Sequence, residues 1–293
     1  MSLAITFAAY GAGAIIGLLV HRSGPRLRQA WPIYLRVQLV ATAALLGLFS
    51  AWRLTAVRQI LDPVVLAGVG LVLLGAATAI RGRRSHGLAA LEGWAAFPNV
   101  TFWVQPLAGA LIGPTGSMIS ALTNAAYALT NAASIHLMRR DAPIRQRRST
   151  TWIDQSMLVA VAVGLLLHLT GPAPAASRWV LTVAGPLLAF VGAGLYTGSV
   201  FHPHNVAVVH SRTDTSRWIL LTAVRIVYLV AVAVVIRSPA VDVIAVLSAF
   251  GPPAFNPPQQ AVLYGYRSGV VMVAVRWGWL FLPVGLAVAL AIH

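Results

Sequence analysis

The sequence predicts an all-α integral membrane protein with ten transmembrane helices, arranged as two inverted five-helix repeats whose fourth and ninth helices are broken and cross each other. Three observations lead to this prediction. The chain is 58% hydrophobic and only 9% charged. Ten apolar runs have the length of about 20 residues that crosses a ~30 Å hydrocarbon layer. Proline interrupts two of these runs at corresponding places in the two halves of the chain.

The composition excludes several classes of protein. A mean hydropathy of +0.80 lies far above that of soluble domains. The absence of cysteine excludes a disulfide framework, a thiolate metal site and a thiol nucleophile. All 21 basic residues are arginine, and most lie in short loops between apolar runs. Their excess over acids therefore indicates membrane topology, with the lipid bilayer as a partner and no nucleic acid.

The ten segments follow one another with short polar connections. Arg22 follows the first segment instead of preceding it, so we expect this segment to remain in the protein and not to be a cleaved signal peptide. The predicted segments are Ser2–Val20, Trp31–Trp52, Asp62–Ile80, Leu88–Gly113, Gly116–Met138, Thr151–Gly171, Trp179–Val200, Trp218–Ile236, Ala240–Tyr264 and Ser268–Ile292.

The arginines between the segments are concentrated on one side of the membrane. Loops after odd-numbered segments carry fourteen of them, and loops after even-numbered segments carry four. Because positively charged loops stay in the cytoplasm, both termini are predicted to face outside. We therefore expect a multi-pass protein of the cell membrane, inner or plasma.

The longest basic loop, "RRDAPIRQRRST", divides the chain into two sets of five segments. The expected organisation is a first repeat over residues 1–138, a cytoplasmic linker over 139–150 and a second repeat over 151–293. Since five is odd, the second repeat must be inverted relative to the first.

The fourth and ninth segments are interrupted in the same way. The fourth contains "AAFPN" with Pro98, and the ninth contains "SAFGPPAFNPP" with Pro252 and Pro253. Proline inside a helix costs about 3 kcal/mol, and in lipid such a break persists where the freed backbone lines a cavity or is packed inside the bundle. A kink without a ligand is the alternative for one break alone. Two breaks at matching positions of inverted halves indicate a ligand site near the midplane.

Two motifs carry a resemblance to a known family. "PNVTFWVQP" followed by "ALIGPTG" resembles the fourth-segment signature of the auxin efflux carrier family of membrane transport proteins, and "PPAFN" followed by "LYGY" resembles that family's second crossover motif. Pro98, Val100, Thr101 and Gln105 depart from the family pattern. The residues in register in the first motif are Asn99, Phe102, Pro106, Gly113, Pro114 and Gly116.

The resemblance implies a crossover transporter that moves small organic anions by alternating access, often outward and driven by protons or the membrane potential. It also implies a homodimer. An enzyme is not expected, and neither is a cofactor.

The crossing predicts a substrate site built from both broken segments. Amide side chains and helix ends would hold a carboxylate without a permanent counter-charge. Four prolines shape its backbone: Pro98, Pro106, Pro252 and Pro253. The predicted substrate-binding residues are Asn99, Thr101, Phe102, Gln105, Asn124, Tyr127, Asn256 and Gln259.

The fifth segment presents a polar face. Its spacing of three and four residues places Ser117, Ser120, Asn124, Tyr127, Asn131 and Ser134 on one side of a helix. This face either lines the substrate path or joins neighbouring helices by hydrogen bonds. We leave both interpretations open for Asn124 and Tyr127.

Charged residues within the predicted spans are candidates for proton coupling or ion pairing. Glu92 lies seven residues before Asn99, on the same face if the helix is regular, and it either carries a proton or pairs with an intramembrane arginine. Arg225 and Arg276 lie roughly 12 Å from the cytoplasmic end, where each pairs with a carboxylate or attracts anions into a vestibule.

Other functions make different predictions. A sodium-coupled bile-acid-type symporter or a cation/proton antiporter has a similar architecture, but sodium would want a carboxylate at the crossover, where the sequence has none. A membrane enzyme or sensor would use His202, His204 and His210 in a cytoplasmic loop. Since no acid except Asp214 is near, no metal site is expected there.

Overall fold

The computed structural model describes residues 3–20, 24–56, 58–82, 85–141, 156–200, 211–254, 257–258, 261 and 266–293. Regular secondary structure in these ranges is helical, which confirms the predicted all-α class. The helices are α1 (Leu3–Val20), α2 (Pro25–Trp52), α3 (Arg58–Arg81), α4 (His86–Ala95), α5 (Gln105–Asp141), α6 (Ser156–Thr170), α7 (Ala176–Trp179), α8 (Gly185–Val200), α9 (Arg212–Ile236), α10 (Pro239–Phe250), α11 (Gly269–Trp277) and α12 (Leu282–Ile292).

Three short segments of π-helix or 3-10 helix continue these α-helices. A π-helical turn, Val100–Val104, leads into α5, and a second, Val180–Ala184, joins α7 to α8. A 3-10 turn, Gly278–Phe281, joins α11 to α12.

Several helices have the length and composition of membrane spans. Shorter apolar helices cover Val40–Trp52, Ser156–Thr170 and Pro239–Phe250. Five stretches among the described residues are long and apolar enough to cross a bilayer, namely Leu3–Val20, Gln59–Arg81, Ala176–Leu195, Arg212–Ile236 and Gly269–Ile292. The chain is thus a helical, multi-pass membrane protein by these criteria, in agreement with the sequence.

The long element α5 consists of two helices that meet at a kink at Gly113, which is where the sequence places the boundary between the fourth and fifth segments. The fourth is broken after α4, and its second half continues into the fifth as α5. The link within α5 is Gly113, whose backbone has φ 69 and ψ −150, followed directly by Pro114. These torsion angles belong almost only to glycine, so the chain changes direction there.

Large apolar side chains cover the outside of the long helices. Leu169 is 81% exposed and Val235 is 80% exposed, and Ile15 and Val227 are likewise mostly exposed. In water such surfaces would drive association. In a bilayer they face acyl chains, which are as apolar as the side chains themselves.

The chain forms two compact units that each take segments from both halves of the sequence. Unit 1 consists of Met1–Ile60, Val100–Ala125 and Trp152–Ala207. Unit 2 consists of Leu61–Asn99, Ala126–Thr151 and Val208–His293. Each unit therefore combines helices that lie far apart in the sequence, and the predicted repeat boundaries at 138 and 150 stay a prediction.

In unit 1, α1 packs along α8, and α2 packs along α6. Glycine makes both contacts close. A Cβ on Gly13 of α1 would collide with the Val191 carbonyl of α8, and one on Gly164 of α6 would collide with the Leu48 carbonyl of α2. Small residues at such interfaces allow helix backbones to approach in the absence of a hydrophobic driving force.

We expect Gly13→Ala to lower the free energy of unfolding by about 1–3 kcal/mol, because the added methyl group overpacks the contact between α1 and α8. Gly11→Ala is the matched control, since nothing lies within 4 Å of a Cβ at that position. Thermal unfolding of both variants in the same detergent measures the difference. Equal melting temperatures for the two variants would contradict the close contact.

Candidate functional site

The helix α4 ends just before the proline that interrupts the fourth segment. The Ala96 N–H donates to the Glu92 carbonyl (3.2 Å), and the Phe97 N–H donates to the Trp94 carbonyl (3.1 Å). The next residue, Pro98, has no N–H and cannot continue this pattern. The backbone therefore leaves the helix at Phe97.

The helix α10 is interrupted in a comparable way. It ends at Phe250, and Gly251 is extended with φ −68 and ψ 157. Pro252 and Pro253 follow, and both lack the N–H that a further helical turn requires. Both prolines are buried.

The two interruptions pair with each other inside unit 2. Pro98 and Pro253 form an isolated antiparallel bridge. The Asn99 N–H donates to the Pro252 carbonyl (2.9 Å), and the Ala254 N–H donates to the Phe97 carbonyl (2.8 Å). The two interruptions therefore meet at these prolines.

The bridge explains how three prolines fit there. In an antiparallel pair, opposite residues alternate between hydrogen-bonded and non-hydrogen-bonded positions. Because the two bonds flank the bridge, Pro98 and Pro253 occupy the non-hydrogen-bonded position, at which neither needs an N–H toward its partner. Pro252 takes part in the pairing only through its carbonyl, which accepts the bond from the Asn99 N–H.

Arg225 of α9 joins the ends of the two broken helices. Its Nη1 donates to the Ala96 carbonyl (2.8 Å) and its Nε donates to the Ala249 carbonyl (3.1 Å). The side chain is buried, with only 2% of the residue exposed. The sequence suggested a carboxylate partner or a vestibule for anions; among the described residues the arginine bonds to backbone carbonyls instead.

Aromatic and small residues pack around the bridge in unit 2. The Phe97 and Tyr127 rings meet edge to face, with centroids 4.0 Å apart. Gly278, in the turn between α11 and α12, lies so close to Pro253 that a Cβ would overlap the proline ring. Tyr127 is buried, and its hydroxyl has no hydrogen-bond partner among the described residues.

Several predicted substrate-binding residues belong to unit 1. Thr101, Phe102 and Gln105 are buried on the π-helical turn and the start of α5, and Pro106 is buried beside them. The Gln105 Nε2 donates to the Ser117 carbonyl (3.3 Å), while its Oε1 has no partner among the described residues.

Asn124 is also in unit 1, and it is only partly buried. Its Nδ2 lies 2.9 Å from the Met157 sulfur of α6, which is a weak acceptor. The structure thus places Asn99 and Tyr127 in unit 2, and Thr101, Phe102, Gln105 and Asn124 in unit 1. Asn256 and Gln259, and the three loop histidines His202, His204 and His210, lie outside the described residues.

Glu92 does not lie on a regular helix leading to Asn99, because the helix ends at Ala95. Its carboxylate forms an ion pair with Arg81, with Nε to Oε2 at 3.0 Å, and also accepts a bond from the Ser268 hydroxyl (3.3 Å). Of the two roles predicted for Glu92, the structure has the ion pair. Its partner is the last residue of α3, which the sequence assigned to a loop.

Two further charged residues lie in unit 2: for Arg276 the predicted carboxylate partner or vestibule role stays a prediction, whereas the role of Asp141 was not predicted. Arg276 is partly buried in the last turn of α11. Asp141, at the end of α5, accepts a bond from the Gly87 N–H (3.0 Å) and so caps the start of α4. The hydrogen bond from Arg140 lowers the pKa of Asp141, and the bond from Gly87 acts in the same direction. In the sequence, the only sign of this helix cap is that Asp141 directly follows two arginines.

The described residues contain no group of three or more His, Asp or Glu side chains that could hold a metal ion. No protein-family model matches the chain, and no curated protein matches it either. The resemblance to the auxin efflux carrier family therefore rests on the two motifs quoted above.

We expect Glu92→Gln to lower the free energy of unfolding by about 1–3 kcal/mol, because it leaves Arg81 without its charged partner in a site where Glu92 is 1% exposed. The Arg81 side chain is 22% exposed, so water offsets part of the loss. Chemical unfolding of Glu92→Gln, Arg81→Gln and the double variant measures the coupling between the two residues.

Arg140→Gln is the control for this cycle, because that arginine pairs with Asp141 at 55% exposure and should cost less than about 0.5 kcal/mol. Additive effects of Glu92→Gln and Arg81→Gln would contradict the ion pair.

Proposed function

We propose that this protein is a secondary active transporter of small organic anions, with carboxylates of the auxin or dicarboxylate type as the substrate class. Transport proceeds by alternating access at the paired interruptions, in the direction of export. The pairing of Pro98 with Pro253 is the observation that carries the proposal.

Energetics supports a ligand site at such a pair. Each unsatisfied peptide group in hydrocarbon costs several kcal/mol, so broken helices persist in membranes mainly where they serve a cavity or a packed interior. Half-helix ends near the midplane are a recurrent way of binding ions and charged substrates. Amide side chains such as those of Asn99 and Asn256 are donors whose chemistry suits a carboxylate.

The packing of unit 1 supports the inverted repeat. Under the proposed repeat, the first segment corresponds to the sixth and the second to the seventh. The contact of α1 with α8 is then equivalent to the contact of α6 with α2, and both contacts occur. Both also depend on close-packed glycine, Gly13 in one and Gly164 in the other. We propose ten spans with both termini outside, and a homodimer as the assembly.

The substrate-binding roles follow the sequence prediction. The residues assigned to substrate binding are Asn99, Thr101, Phe102, Gln105, Asn124, Tyr127, Asn256 and Gln259. The Glu92 carboxylate is held in an ion pair with Arg81. We therefore favour the membrane potential over Glu92-mediated proton coupling as the driving force.

Asn99→Ala combined with Asn256→Ala should abolish substrate binding, because it removes one amide from each broken segment. The measurement is uptake of radiolabelled carboxylates, aromatic and aliphatic, by proteoliposomes, together with their effect on melting temperature. Asn205→Ala, outside the predicted spans, is the matched control. Flux of the double variant at the level of the control would refute the site.

His202→Ala combined with His204→Ala should leave carboxylate flux unchanged, because the proposal assigns these side chains no role. Loss of flux or of any hydrolytic activity in this variant would favour the enzyme or sensor alternative. Stabilisation of the wild-type protein by Na⁺, compared with choline at equal ionic strength, would favour the sodium-coupled alternative.

A further inference from the structure

Arg225 is a buried cation without an ion pair among the described residues. It is 2% exposed, and its two recorded hydrogen bonds go to the carbonyls of Ala96 and Ala249. A charged side chain at membrane depth is costly, so its position needs a compensating partner. Here the partners are neutral peptide groups, each at the end of a broken helix.

Both carbonyls have lost their helical donors. The last carbonyls of a helix lack intrahelical N–H partners, and Ala96 caps the end of α4. In an unbroken helix, the N–H of residue 253 would bond to the Ala249 carbonyl, but proline occupies that position. The guanidinium donates in place of these missing groups.

The charges also balance. The C-terminal end of a helix carries about −0.5 of an elementary charge. Two such ends, of α4 and α10, together carry about −1, which one guanidinium offsets. In carriers with broken helices, C-terminal half-helix ends are where a transported cation binds.

We propose that Arg225 is the fixed cation of the paired interruptions: its guanidinium holds the C-terminal ends of α4 and α10 together and fills the place that a coupling cation would otherwise take. The residue is thus a positioning residue for the crossover, and its fixed charge favours an anionic ligand over a cationic one. This consequence for the ligand rests on the proposed function, whereas the holding role does not.

The test compares four variants of the full-length protein in detergent by melting temperature. Arg225→Met keeps the bulk of the side chain but removes the charge, Arg225→Lys keeps the charge, and Arg225→Ala opens the space. Arg212→Met, at the exposed start of the same helix, is the control. Each variant is measured with and without millimolar guanidinium, far below denaturing concentrations, and with tetramethylammonium, a cation that has no N–H group to donate to the two carbonyls.

We expect Arg225→Met and Arg225→Ala to melt about 5 °C or more below the control, because two charge-assisted hydrogen bonds are lost. Arg225→Lys should recover part of the loss, and guanidinium should raise the melting temperature of Arg225→Ala but not that of the wild type. Tetramethylammonium should have no effect. A Met variant as stable as the control, or an Ala variant that guanidinium does not restore, would overturn the proposal.

If a variant fails to express, guanidinium added during extraction replaces the missing group, and recovery of folded Arg225→Ala only in its presence supports the proposal. Recovery with tetramethylammonium equally well would count against it. None of these readouts requires flux. Failure of the transport assay with successful guanidinium rescue would therefore refute the proposed function and leave the role of Arg225 intact.

Discussion

Peptide groups freed by a broken helix in a bilayer must find new partners, and the two broken helices of this protein find them in each other. Two N–H to carbonyl bonds flank the bridge between Pro98 and Pro253. Arg225 then serves the carbonyls that the bridge does not reach. The prolines, which create the problem by removing donors, sit where the antiparallel pairing needs none. The break is thus a stable structure and not a defect.

This constraint accounts for the residues around the bridge. A bulky side chain opposite Pro253 would separate the paired segments, and Gly278 occupies that place. The Tyr127 ring packs edge to face against Phe97, two residues after the last residue of α4. At the start of α4, Asp141 caps the helix, and nearer its end Glu92 ties it to α3 through Arg81. The short half-helix is therefore held at both ends by contacts from elsewhere in its unit.

The sequence predicted what depends on local chemistry. Apolar runs predicted helices, and the prolines predicted both the breaks and their meeting. The sequence did not predict the contacts that depend on which backbone groups lose their hydrogen-bond partners. A sequence shows Arg225 as a charge but does not show that the Ala96 and Ala249 carbonyls need a donor. Glu92 was placed on a face with Asn99 by assuming a regular helix, which Pro98 excludes. The two compact units could not be read from order along the chain, because each combines segments from both halves.

A position can require glycine for either of two reasons, and the turn within α5 is an example of the second. At Gly13 a side chain would strike a neighbouring helix, whereas at Gly113 nothing lies within 4 Å of where a Cβ would be. What excludes other residues at Gly113 is the torsion of its own backbone, with φ 69 and ψ −150. A survey of substitutions would find that neither Gly13 nor Gly113 tolerates a side chain. Loss of stability on substitution of Gly113 would reflect the backbone turn within α5. It would carry no information about substrate binding.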